Sequence, residues 1–147
     1  MLTNKRFFLG SSALVFLGGF VLGGVLQPWS VLRAQSSQRV FEIRTYTAPD
    51  GKLDALHARF RDHTLRIFQK HGMTSVAYFK PQDAPLSQNT LMYILAHQSR
   101  EAAKKSWADF QADPEWQKVA ADSQVNGRIV SNVVSVFADP TDYSPLK

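Results

Sequence analysis

The chain has 147 residues, a formal charge of +5 and no cysteine. That length holds one ordinary domain plus a terminal segment, and the lack of thiols excludes disulfides, thiolate zinc sites and cysteine nucleophiles. Three of the 17 basic residues (Lys5, Arg6 and Arg33) fall in the first 34, which carry no acid; the remainder has 14 basic against 12 acidic side chains, a net of +2 that gives nucleic-acid binding no support.

Residues 1–34 read as a targeting segment. Asn4-Lys5-Arg6 is a basic start, Phe7 to Leu26 is uncharged, Gln27-Pro28-Trp29 breaks the run, and Ala34 is a small residue for a peptidase. Lys5-Arg6-Phe7-Phe8-Leu9 resembles a bacterial twin-arginine signal, with Lys in place of the first Arg. The glycine content favours a cleaved export signal, with a mature start close to Gln35. An uncleaved anchor through residues 7–26 is the alternative, because about 20 apolar residues span a bilayer. Both readings put the domain outside the cytoplasm, periplasmic or extracellular, with no membrane contact other than through this segment. Residues 35–38 form a polar spacer.

From Val40 to Tyr46 the side chains alternate, the period of a half-buried strand: Phe41, Ile43 and Thr45 on one side, Glu42, Arg44 and Tyr46 on the other. Ala48-Pro49-Asp50-Gly51 has the composition of a turn. Leu53, Leu56, Phe60, Thr64, Ile67 and Phe68 then make one stripe of a helix that Gly72 ends. Met73 to Lys80 alternates again, with Val76 and Tyr78 opposite Ser75, Ala77 and Phe79. After the proline-stiffened loop 81–85, Leu91 to His97 is apolar on both faces, which predicts a central strand. Ser99 caps a helix over 100–111; Asp113-Pro114-Glu115 opens another that runs to Asn126-Gly127. Residues 128–137 are a last strand rich in Val and Ile, and 139–147 an extended tail.

The order β-α-β-β-α-β is the ferredoxin-like, α+β pattern, with helices on one face of a four-stranded antiparallel sheet. Phe41-Glu42-Ile43-Arg44-Thr45-Tyr46, Gly51, His71-Gly72 and Asp113-Pro114-Glu115-Trp116 together resemble the NIPSNAP family, a likeness that runs from Arg39 to Pro145 with its domain over 39–138. The resemblance implies a sandwich that pairs as a dimeric α/β barrel, in a superfamily that also holds cofactor-free monooxygenases and haem-handling enzymes. It implies no defined activity.

The polar face of the first strand carries the candidate site. Glu42 and Arg44, two residues apart, can pair or clamp a polar ligand, and Tyr46 stands beside them. With the most apolar faces under the helices, the opposite face is expected to collect Tyr93, His97, Ser131 and Ser135 as well. Such a wall suits a small aromatic or carboxylated molecule, or ion pairs that set the register of a dimer. His57 and His63 lie about 240° apart on their helix, and His63 and His71 about 12 Å apart along it, so no metal site is expected. Asp62 is placed to pair with Arg66, on a solvated helix face shared by Arg59, His63 and Lys70. No glycine loop outside the leader suits a nucleotide, no cofactor is expected, and no catalytic residue is identified.

Two functions stay open. One is an exported domain with a non-catalytic small-molecule-binding or assembly role. The other is a cofactor-independent monooxygenase or haem-handling oxidoreductase using Arg44, Tyr93 and His97. The chain is expected to form a homodimer through the open face of its sheet, with Leu91, Tyr93, Leu95, Val133 and Phe137 on that face.

Overall fold

A computed structural model describes residues 39–147; the expected leader and spacer lie outside them. Strand β1 (Val40–Thr47) is followed by a helical run of α1 (Leu53–Arg59), a π turn (Phe60–Thr64) and α2 (Leu65–Lys70). Then come β2 (Thr74–Phe79), a 3₁₀ turn (Leu86–Gln88), β3 (Thr90–His97), α3 (Arg100–Ala112), α4 (Pro114–Asp122) and β4 (Asn132–Ala138). The four strands are antiparallel in the order β2-β3-β1-β4, so both hairpin-distant pairings of the ferredoxin-like fold are made.

Three helix ends have a local cause. Ser99 Oγ accepts the Ala102 amide at 3.1 Å, and Asp113 Oδ1 accepts the Glu115 amide at 2.9 Å, with Pro114 in the first turn where its missing N–H costs nothing. Gly72 leaves α2 at φ 74°, a left-handed turn that glycine enters without steric cost. In the π turn the Leu65 amide donates to the Phe60 carbonyl five residues back, and Thr64 Oγ1 donates to the Arg59 carbonyl at 3.2 Å. The apolar stripe is kept across it: Leu53, Leu56, Phe60, Thr64, Ile67 and Phe68 are all buried.

Asp113 does more than cap. Its Oδ2 accepts from Lys70 Nζ and His71 Nε2, both at 2.7 Å, so it ties the end of α2 to the start of α4. Arg66 pairs with Glu115 rather than with Asp62 as expected, because α4 brings a carboxylate across from a separate element. Arg59 is not on a solvated face either: it is buried, with its guanidinium 5.1 Å from the Trp116 ring centre and Nη1 donating to Ser123 Oγ.

The faces of the sheet are the reverse of the sequence expectation. Leu91, Tyr93 and Leu95 are at most 2% exposed and pack with Leu56, Phe60, Phe68 and Phe110 beneath the helices. By register, Glu42, Arg44, Tyr46, His97, Val133, Ser135 and Phe137 share that side. The open face instead carries Phe41, Ile43, Met92, Ile94, Val134 and Val136. Chain 139–147 returns over part of it, with Pro140, Ser144 and Leu146 near Phe41, Ile43 and Ile94. Polar side chains could go under the helices because they satisfy one another there, as the site shows. Strand β2 also departs from the expected alternation, because its register shifts between Ser75 and Ala77. That bulge places Ser75 with Tyr78, their hydroxyls 2.7 Å apart, and Ala77 with Phe79. The last strand begins at Asn132 rather than 128; it is exposed on both faces over most of its length, and its outer edge pairs with no described strand.

Candidate functional site

Strand β1 places Glu42, Arg44 and Tyr46 on one face, with Arg44 opposite Tyr93 of β3 and Ser135 of β4. Glu42 is 1% exposed, a position a carboxylate tolerates only when its lone pairs are met. All are. Oε1 accepts from Ser135 Oγ at 2.6 Å and Arg44 Nη1 at 2.7 Å; Oε2 accepts from Trp107 Nε1 at 2.7 Å and His97 Nε2 at 3.0 Å. Burial alone would raise the Glu42 carboxyl, but the bonds from His97, Ser135 and Trp107 and the charge on Arg44 outweigh it and hold the group at about 2.

An ionised Glu42 only accepts, so Nε2 of His97 carries the proton and its buried Nδ1 has no partner. The Arg44 guanidinium lies 4.1 Å from the Trp107 ring centre, and Nη2 donates to the Tyr46 hydroxyl at 3.4 Å. Tyr93 stacks on Tyr78 at 5.5 Å and meets Tyr46 and Phe60 edge-on or tilted at 5.4 and 5.2 Å. Its hydroxyl is buried without a hydrogen-bond partner, and burial raises its pKa, so it stays protonated.

The five expected site residues therefore come together, although under the helices rather than on the open face. Ser135 joins them. Ser131 does not: it is exposed and its Oγ donates to the Thr47 carbonyl. Sequence reading missed what lies beside them. Between α3 and β4 a cleft of about 610 Å³ is lined by Arg44, Arg100, Lys104, Trp107, Ser135 and Phe137, with Glu42 and Glu101. Arg100 lies 4.1 Å from the Phe137 ring centre. Neither Arg100 nor Lys104 has a carboxylate within ion-pairing distance among the described residues. A signal existed: residues 100, 104 and 107 are spaced four and three apart, one helix stripe that is basic and aromatic where a core stripe would be apolar. Of the remaining histidines, His71 is spent on Asp113. Among the described residues no group of three or more His, Asp or Glu side chains could hold a metal ion.

This is a ferredoxin-like α+β domain with a helix-covered acid–arginine pair, of the architecture from which dimeric α/β barrels are built. The NIPSNAP family model matches residues 41–145, and the chain belongs to the NIPSNAP family. It is similar to a NIPSNAP family protein of unknown function from Agrobacterium tumefaciens, at 24% identity over 76% of this chain and 96% of that one, with a TM-score of 0.66. A NIPSNAP-like domain protein from Burkholderia xenovorans gives 19% identity, coverage of 76% and 93%, and a TM-score of 0.65. SnoaB, a cofactor-independent oxygenase from Streptomyces nogalater, gives 13% identity, coverage of 74% and 98%, and a TM-score of 0.50. At these identities the likeness is one of fold. None of the curated proteins matches the chain.

Proposed function

We propose that this NIPSNAP domain is exported, works as a homodimer, and binds a small aromatic carboxylate in the cleft between α3 and β4 without catalysing a reaction on it. The observation that carries this reading is the saturated Glu42. Four donors meet its carboxylate, so it is spent as a general base and acts as the clamp that holds Arg44 against Trp107 at the cleft. Around that fixed cation stand two unpaired ones, Arg100 and Lys104, and two aromatic faces, Trp107 and Phe137. Cations beside aromatic rings suit a flat anion, whose charge meets the guanidinium groups while its ring stacks.

The oxygenase reading rests on fold analogy, which assigns no activity. Of the three polar groups expected for it, Arg44 and His97 are occupied by Glu42, and Tyr93 offers only a buried, unpartnered hydroxyl. Support for a homodimer is the open sheet face, where Ile43, Phe79, Val134 and Val136 are 37–54% exposed. A second copy pairing about a two-fold axis would cover them. Export rests on the layout of residues 1–34; no helix among the described residues is long and apolar enough to cross a membrane.

Calorimetric titration with benzoate and with benzyl alcohol tests the binding site. Benzoate should bind at least tenfold more tightly, and the exposed pair Arg100→Ala and Lys104→Ala should remove that preference. Equal binding of the two compounds, or a preference that survives the double substitution, would refute the site.

A further inference from the structure

At the opposite edge of the sheet, where α1 and the π turn pass over β2 and β3, a second pocket of about 340 Å³ is lined by Phe60, Leu65, Tyr78, Phe79 and Leu91 on its apolar side. Three nitrogen side chains complete the lining: His57, Arg61 and Lys80. Among the described residues neither Arg61 nor Lys80 has a carboxylate within ion-pairing distance. His57 Nε2 is buried with no hydrogen-bond partner, a cost that native structures rarely leave unmet. We propose that this pocket is a second binding site, for an amphipathic monocarboxylate whose apolar body lies against Phe60, Leu65, Tyr78 and Leu91 and whose carboxylate is held by Arg61, Lys80 and His57.

Three features point to that class of ligand. The volume equals the liquid share of roughly eleven waters, which suits a body of about ten non-hydrogen atoms. The apolar lining excludes a strongly polar molecule, while the unpaired cations at the same pocket supply the complement of a single anionic end. Burial, then the charge of Lys80, lowers the pKa of His57 against the opposing pull of Asp54, with Arg61 adding to the depression. A neutral imidazole offers one N–H to a carboxylate oxygen and adds no third cation to a site already supplied with two. The π turn contributes geometrically: with Phe60 buried at its start and Leu65 directly after it, it sets the wall of the pocket on the helix side.

The site is separate from the α3–β4 cleft, with which it shares no lining residue. Titration of the full chain with sodium octanoate, and with 1-octanol as the uncharged counterpart, tests it. Octanoate is expected to saturate one site per chain and to bind at least tenfold more tightly than octanol. The surface pair Arg61→Ala and Lys80→Ala should weaken octanoate at least tenfold with the circular dichroism unchanged, and Leu65→Trp, which fills the pocket, should remove binding. Absence of octanoate binding, equal binding of octanol, or an affinity that survives the double substitution would each overturn the proposal.

Discussion

The Glu42 carboxylate joins β1 to β3, β4 and α3 through His97, Ser135 and Trp107, and pairs with Arg44 on its own strand. Removing it leaves Arg44 and His97 facing a cavity with no counter-charge, and breaking a buried pair from one side costs about 3–5 kcal/mol. Glu42→Ala should therefore unfold at a markedly lower denaturant midpoint, whereas Glu42→Gln, which keeps one acceptor oxygen, should lose less. The same residue sets an acid limit. Its folded pKa is about 2 against an unfolded value of 4.5, so its stabilisation is complete above the unfolded value. It is lost as pH falls from about 4.5 toward 2, because the unfolded chain takes up the proton first. Arg44 faces the carboxylate from β1 and stays cationic throughout that range, so it does not compensate. Urea midpoints at pH 5, 4 and 3 should fall steadily in the native protein and stay flatter in Glu42→Gln. Tyr93 predicts the opposite sign. Its buried hydroxyl is unpartnered, so Tyr93→Phe should be neutral or stabilising by about 1 kcal/mol, read as an unchanged or higher midpoint. The register of these residues was legible, since Glu42, Arg44 and Tyr46 alternate with Phe41, Ile43 and Thr45. Which side faces the helices was not, because charged side chains read as exposed until their partners on β3, β4 and α3 are known.

Elements meet at Asp113. One carboxylate caps α4 through the Glu115 amide and receives Lys70 and His71 from the end of α2. The bonds from Lys70 and His71, with the cap, hold its pKa far below the ordinary carboxylate range. The two short motifs singled out in the sequence, His71-Gly72 and Asp113-Pro114-Glu115-Trp116, are thus two halves of one joint. Asp113→Asn retains the cap but loses the charge, while Asp113→Ala loses both. Thermal midpoints should rank native above Asn above Ala, and amide exchange in α4 should rise in the same order. Equal midpoints for Asn and Ala would mean the cap contributes nothing. Capping signals were local and therefore readable. The Lys70 and His71 contacts span more than 40 residues, and the bulge at Val76 and the π turn have no periodic signature, since the same apolar stripe fits an unbroken helix.

At the scale of the whole molecule the corrected faces change the test of association. Leu95 is fully buried, so a charge there would unfold the domain and say nothing about pairing. Val136 is the informative position: it is 54% exposed on the open face and opposite Ile43. Native mass spectrometry at micromolar concentration should show two subunits for the native protein and one for Val136→Asp, with circular dichroism unchanged. A native monomer would refute the proposed pairing. The fold class itself was legible because helix and strand periods alternate cleanly along the chain. The α3–β4 cleft was not, since it exists only where Arg100, Lys104 and Trp107 of α3 meet Ser135 and Phe137 of β4, residues distant in the chain.

Strand β4 also limits how the protein can be handled. From Asn132 to Ala138 it carries no charge and no proline, and its outer edge is unmatched by any described strand. Exposed edges of that composition recruit further chains into non-native sheets. Concentrated stocks should accordingly gain thioflavin-T fluorescence on storage, and Val133→Lys, which puts a gatekeeper charge on a residue already 40% exposed, should lengthen the lag. One seven-residue segment thus offers a template for association, and a single lysine there should extend shelf life without any gain in folding stability.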